Sequence, residues 1–217
     1  MIELTSEVAE LLGARVGDGT LYRTNRGIVW EIRGALEEKD YYIQNICPLL
    51  NTIFNLEIIS KFRNGGPNGV WGVQTTKKLI IQLFLDYGFN SGRKTHTVQV
   101  PDYIINTNDE LKKAFVRGLF DTDGCLRFDK INNKPDYSYP RIEFSSASRE
   151  LRNTLNTLLI TLGFRTFIWN DRNNFCLSTT GIKMLEKWIN EIKPRNPKHL
   201  KKYYNWKEKG FYNPNMH

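Results

Sequence analysis

Apolar residues recur at helical spacing at Val8, Leu11 and Leu12, behind Thr5 and Ser6, either of which can cap a helix there. The period then changes to two: alternation from Leu21 to Arg33 about Asn25-Arg26-Gly27 predicts a β-hairpin. A helix of roughly four turns is expected over about Lys39 to Phe54. A second hairpin is expected from Leu56 to Thr76 around Asn64-Gly65-Gly66-Pro67-Asn68-Gly69, and a further helix from Lys77 to Tyr87. The succession then starts again. Thr107-Asn108-Asp109-Glu110 is a capping box opening a helix through Ala114, Phe115 and Leu119. Behind it come a hairpin from Leu126 to Ser145 turning through Asn132-Asn133-Lys134-Pro135-Asp136, and a helix from Ser148 to Leu162. A hairpin from Phe164 to Thr179 around Asn170-Asp171-Arg172-Asn173-Asn174 and a helix from Gly181 to Ile192 complete the second round.

Two rounds of one pattern call for a search for self-similarity. Leu12-Gly13-Ala14-Arg15-Val16-Gly17-Asp18-Gly19 aligns with Arg117-Gly118-Leu119-Phe120-Asp121-Thr122-Asp123-Gly124 at an offset of 105. Leu50-Asn51-Thr52 matches Leu155-Asn156-Thr157 at 105, and Thr75-Thr76 matches Thr179-Thr180 at 104. A shared offset across separate places outweighs the weakness of each short match. The expected fold is α+β: two pseudo-symmetric αββαββα units with antiparallel sheets. The first repeat is placed at 1–90, a linker at 91–106, the second repeat at 107–193 and a basic C-terminal helix or tail at 194–217. The linker is short, so the halves are expected to pack together.

The chain of 217 residues has 40% hydrophobic and 25% charged residues, which argues against disorder and against a coiled coil. Its 31 Lys and Arg against 23 Asp and Glu leave a net charge of +8. That balance favours a polyanionic partner through counterion release, although it also serves plain solubility. Cys47, Cys125 and Cys176 are odd in number and far apart, with no CxxC zinc spacing, as suits reduced thiols. The N-terminus lacks a signal-peptide pattern and no apolar run reaches spanning length, so an intracellular protein without membrane contact is expected, in the cytoplasm or at the nucleoid.

With Val116-Arg117-Gly118-Leu119-Phe120-Asp121-Thr122-Asp123-Gly124, and more loosely its first copy, the chain resembles the LAGLIDADG homing endonucleases in their single-chain, two-motif form. The resemblance implies curved sheets and two central motif helices that meet at a pseudo-twofold axis, with Gly13 and Gly118 where the helix backbones approach. It implies a monomer that cuts both strands of double-stranded DNA at a long asymmetric target. Asp18 and Asp123 would be catalytic metal ligands, with magnesium as the cofactor and manganese as a substitute. A basic residue near each site is implied too. Lys94 and Lys198, 104 residues apart, are the candidates, against a plain phosphate contact or a solvated lysine. The first copy departs from the second at Val16, where the second has Asp121.

The chemistry is consistent with this. Cutting a duplex needs two sites that activate water and stabilise charge on phosphorus-bound oxygens, and a hard cation needs only one or two protein carboxylates. Read alone, either Asp-Gly pair also serves as an ordinary turn from helix to strand. Strand alternation turns Tyr22, Thr24, Arg26, Glu31 and Arg33 outward in the first copy, and Arg127, Asp129, Arg141, Glu143 and Ser145 in the second. With Lys61, Arg63 and Gln74, these are candidate contacts to bases or phosphates, since a β-ribbon fits the major groove. Trp30, Trp71 and Trp169 are assigned to core or sheet packing. Alternatives on the same fold are an intron-RNA-binding splicing cofactor and a non-cleaving DNA-binding regulator. Absence of the terminal splicing residues suggests a free-standing protein rather than part of an intein.

Overall fold

A computed structural model describes residues 2–65, 68–92, 94–131 and 136–213. Helix α1 (Ser6–Val16) begins at Thr5, whose Oγ1 accepts from the Val8 N–H, as the cap pattern anticipates. Strands β1 (Thr20–Thr24) and β2 (Gly27–Ala35) form the first hairpin. A helical stretch follows in four pieces: a 3-10 turn Leu36–Glu38, α2 (Lys39–Tyr41), a π turn Tyr42–Ile46 and α3 (Cys47–Phe54). The expected uninterrupted helix from Lys39 is thus broken. Pro48 has no N–H for the carbonyl four residues back and its ring crowds that carbonyl, a sufficient cause for widening the preceding turn. Strands β3 (Lys61–Arg63) and β4 (Val70–Thr75) and helix α4 (Lys78–Asp86) complete the first copy. Strand β3 starts later than the expected hairpin. Asn51 holds Ile58 through its backbone N–H (2.6 Å) and carbonyl (3.3 Å), keeping that stretch out of the sheet. Two residues of its expected turn, Gly66 and Pro67, lie outside the described residues.

A one-turn helix α5 (Asp102–Ile105), not foreseen, precedes α6 (Asp109–Asp123), which Asn108 caps. The second copy runs through β5 (Gly124–Lys130), β6 (Tyr137–Ser146), α7 (Arg149–Thr161), β7 (Phe167–Asp171), β8 (Asn174–Thr180) and α8 (Ile182–Glu191). The turn expected at 132–136 lies outside the described residues apart from Asp136. Within the basic C-terminal stretch, residues Pro197–Lys209 form helix α9, with His199, Tyr203 and Trp206 buried.

Each copy makes one four-stranded antiparallel sheet of the same topology, β1-β2-β4-β3 and β5-β6-β8-β7. One face of each carries helices. Trp30 stacks on Phe84 of α4 at 5.1 Å, and Phe144 lies 6.1 Å from Trp188 of α8, which also meets Phe120 of α6 at 5.1 Å. Both sheets and both motif helices share one apolar core.

Helices α1 and α6 form the centre. A methyl group on Gly13 would meet the Phe115 carbonyl oxygen at 2.0 Å, and one on Gly118 the Glu10 carbonyl oxygen at 1.9 Å. Only residues without a side chain let two backbones come this close. Straps also cross between the halves. The Ser148 hydroxyl donates to the Val98 carbonyl (2.6 Å) and Thr154 accepts from the Val100 N–H (3.0 Å), so the linker leaving the first half is tied to the second. Conversely, Glu38 of the first half accepts from Asn196 (2.8 Å) and Lys198 (2.7 Å) beyond the second.

Candidate active site

The motif helices end side by side, and their ends differ. Helix α6 runs through Asp123 and the chain enters β5 at Gly124, whereas α1 stops at Val16, leaving Asp18 in a turn beyond it. The first turn is closed by Gly17 and Gly19 N–H groups donating to Gly13 and Ala14 carbonyls. A methyl group on Gly17 would lie 3.3 Å from Cβ of Asp123 and would clash with the Thr122 hydroxyl, so the two ends converge.

Asp18 is half-buried. Burial pushes its carboxyl up to about 7, the Asp123 and Glu38 charges add to the rise, and Lys198 and Lys94 oppose it. Asp123 keeps a solvent-open side; the surrounding protein still raises its carboxyl, and Lys94 and Lys198 pull it back. The structure therefore gathers Asp18, Asp123, Lys94 and Lys198 at one place.

The lysines are held differently. Lys94 donates through Nζ to the carbonyls of Arg15 (2.7 Å), Val16 (2.7 Å) and Gly17, covering acceptors that the end of α1 leaves bare. Burial and the Arg15 charge press its ammonium down to about 7, while Asp123 and Asp18 raise it. Lys198 instead bonds Glu38, and its backbone N–H is taken by the Asn196 side chain that caps α9.

Four features of the site were not picked out in the sequence. Glu38 is buried and ties Asn196, Lys198 and the Ala35 N–H together. Asp121 is fully buried; Oδ2 accepts from the Arg195 N–H (2.8 Å), Oδ1 has no partner, and burial lifts its carboxyl to about 7. Glu10 of α1 is buried between Arg117 of α6 (2.7 Å) and Arg195 (3.2 Å). Arg15 is buried at the end of α1. A charged residue among the apolar positions of a predicted helix, as at Glu10, Arg15 and Asp121, was the available signal. Glu38 and Asn196 gave none, because they meet across 158 residues.

Among the described residues no group of three or more His, Cys, Asp or Glu side chains is placed to hold a metal. The available donor set is the pair of carboxylates, Asp18 and Asp123. Burial raises both, and the Asp123 charge raises Asp18 further, which a divalent cation relieves; hard oxygen donors suit magnesium or manganese.

The candidate contact residues fall on the sheet faces opposite the helices. In the first sheet, register sets Glu31 beside Gln74 and Thr20, and Gly72 between Arg33 and Lys61; Arg63 follows beyond. Tyr22 accepts from Gln74, Thr24 shares that face, and Arg26 lies in the turn. In the second sheet Arg127 pairs with Arg141, Glu143 with Cys125 and Ser178, and Ser145 with Cys176. Trp169, aligned with Cys176, lies on this same outer face beside Arg141. Strand β5 starts directly after Asp123 and β1 two residues after Asp18, so each face begins close to an aspartate.

The faces differ in charge. Arg141 is held by Asp129 at 2.7 Å, and Arg127 lies 3.2 Å from Glu143 and 3.6 Å from Asp129. In the first sheet only Arg33 has an ion pair among the described residues, a 3.6 Å contact with Glu31, leaving Lys61 and Arg63 uncompensated. No helix among the described residues is long and apolar enough to cross a membrane.

A family model described as a LAGLIDADG-like domain matches residues 110–190. Among curated proteins, the chain is 24% identical over 213 residues to the uncharacterized protein MJ1054 of Methanocaldococcus jannaschii, covering 95% of this chain and 22% of that protein. It is 25% identical over 171 residues to ribonucleoside-diphosphate reductase NrdEB subunit alpha of Bacillus subtilis, covering 76% of this chain and 15% of that one. The chain thus spans about a fifth or less of these relatives' length. Among solved structures, it is similar to the homing endonuclease I-DmoI in complex with DNA and Mn (TM-score 0.59, 19% identity, 88% of this chain and 97% of that one). It is also similar to the homing endonuclease I-WcaI bound to its DNA recognition sequence (TM-score 0.63, 16% identity, 98% and 89%). The α+β fold with its two four-stranded sheets is the one these structures have.

Proposed function

We propose that this chain, a LAGLIDADG-like domain on the fold of the two-motif homing endonucleases, is a divalent-metal-dependent endonuclease that hydrolyses one phosphodiester on each strand of a long, asymmetric duplex. The observation that carries this reading is the meeting of Asp18 and Asp123, one from each repeat, at the foot of a single helix pair. Because one chain supplies both, it acts as a monomer. Its relatives in solved structures are bound to DNA, so the intron-RNA reading is not taken further.

Asp18 and Asp123 would hold magnesium, with manganese as a substitute. A cation bound there lowers the pKa of water and stabilises charge on phosphoryl oxygens. The remaining work falls to the protein. Lys198, oriented by Glu38, brings positive charge to the pair of aspartates. Lys94 brings charge as well, but its ammonium donates to three carbonyls, so its part is electrostatic and structural. Outward residues of both sheets bind the duplex: Arg33, Lys61, Arg63, Gln74 and Arg26 in one half, Arg127 and Arg141 in the other. Arg141 is set up to read a base. Nε and one Nη of its guanidinium face Asp129, which leaves the other edge of the fork free for the paired acceptors of guanine.

The test is cleavage of a randomised duplex library in magnesium, calcium or EDTA, with the cut ends sequenced. Cutting in magnesium alone is expected. Asp18→Asn and Asp123→Asn should abolish double-strand cutting and keep DNA binding, since binding rests on the sheets. Full cutting of both strands by either variant removes the two-aspartate mechanism.

A further inference from the structure

Arg15 is unexplained by the endonuclease reading. It is 2% exposed and stands at the motif position where the second copy has Phe120, which packs against Trp188, Phe144 and His199. Its partners are few. One Nη1–H donates to the Gly19 carbonyl (2.8 Å) and the guanidinium carbon lies 5.4 Å from the centre of the Phe89 ring. Its Nε is buried without a partner. Among the described residues no carboxylate forms an ion pair with it.

A charge taken out of water is costly unless it is paired, and structures keep one where something compensates it. Beside Arg15 is a cavity of about 420 Å³ between the foot of α1 and the linker, with Lys94, Ser91, Thr97 and Gln99 also in its wall. At about 30 Å³ per water molecule it has room for a hydrated phosphate group. No Asp or Glu lines it, so Arg15 has no carboxylate there to neutralise it, while Lys94, drawn by Asp18 and Asp123 and bonded to three carbonyls, lends its positive charge. The second copy has no counterpart, because Phe120 and the buried ring of His199 stand there instead.

We propose that Arg15 and Lys94 form an oxyanion site, present in the first half only, that takes a phosphate-class anion. A guanidinium presents its N–H groups in a planar fork that suits phosphate oxygens, and Lys94 adds a point charge. The phosphate is either a backbone group of a bound duplex or free in solution. The site does not depend on the cleavage reading, since anion binding is measured without DNA or metal and the two ideas fail separately.

The full chain is titrated with sodium phosphate or with sodium chloride at matched ionic strength, and thermal unfolding is followed. Phosphate should raise Tm saturably, by roughly 4 °C at about ten times Kd. Arg15→Phe, which installs the second copy's residue, and Arg15→Gln should lose that rise. Should neither variant fold, the Arg15 Nε–H resonance of the wild-type chain carries the test by nitrogen-15 NMR, and it should shift on adding phosphate. Equal response to phosphate and chloride, an undiminished rise in either variant, or an unmoved Nε–H resonance overturns the site. Competition then separates the sources. Loss of the phosphate effect when a duplex is added supports a backbone phosphate, and its persistence supports a free anion.

Discussion

Replacing Gly118 by Ala sets two effects against each other at the centre of the molecule. Alanine favours a helix interior over glycine by up to about 1 kcal/mol. The new methyl, however, would sit 1.9 Å from the Glu10 carbonyl oxygen, where ordinary contact begins at 3.4 Å. Backbone cannot rotate aside as a side chain can, so α1 and α6 must part locally by about 1.5 Å, a shift that forfeits much of the dispersion energy between facing atoms. Overpacking of this kind costs about 3 kcal/mol, toward the upper end of its usual range. The net expectation is a loss of about 2 kcal/mol, or a Tm lowered by roughly 4–8 °C for a chain of this size. Gly13→Ala should behave alike, its methyl meeting the Phe115 carbonyl oxygen at 2.0 Å. Both substitutions force the same two helices apart, so the double variant should cost less than the two singles added, by about 1 kcal/mol. Equilibrium urea unfolding of the four proteins measures this. Cleavage should suffer more than DNA affinity, because the helices carry Asp18 and Asp123. A neutral or stabilising Gly118→Ala, or strict additivity, refutes the close-approach argument.

Lys94→Met should cost about 2 kcal/mol in the same unfolding assay, since the carbonyls of Arg15, Val16 and Gly17 lose their shared donor; a variant as stable as wild type shows that the ammonium does not hold the end of α1. Asp121 has a pH signature. Its folded carboxyl is raised from 3.8 to about 7, so the folded state binds the proton more tightly than the unfolded one, and the benefit present below pH 4 is lost as pH rises through 7. Relative to Asp121→Asn, the wild type should therefore lose up to roughly 4 kcal/mol between pH 4 and 7, and parallel stability curves would contradict this. On the DNA side, Lys61→Gln should weaken binding alike for all sequences and reduce the salt slope by about one, whereas Arg141→Ala should relax the preference at one base pair; binding isotherms at several salt concentrations on matched duplexes check both.

The sequence by itself carried the architecture. Hydrophobic period is a local property and switched between helix and strand at the right places, and the offset of 105 placed the two aspartates in equivalent registers. Strand alternation was enough to turn Tyr22, Glu31, Arg33 and Gln74 to one face, because side chains of a strand alternate whatever lies beyond the sheet. Local pattern failed where a single residue or a distant partner decides. Pro48 widened a helical turn, and Asn51 kept Ile58 out of β3. The same limit applies at the site. That Lys94 caps α1, that Glu38 holds Lys198, that Glu10 pairs with Arg117 and Arg195, and that Arg15 has no counter-ion all depend on which residues meet across some 80 to 190 positions or fail to meet. Only tertiary packing sets those distances, and with them the free-energy difference between a charged and a neutral side chain in each place.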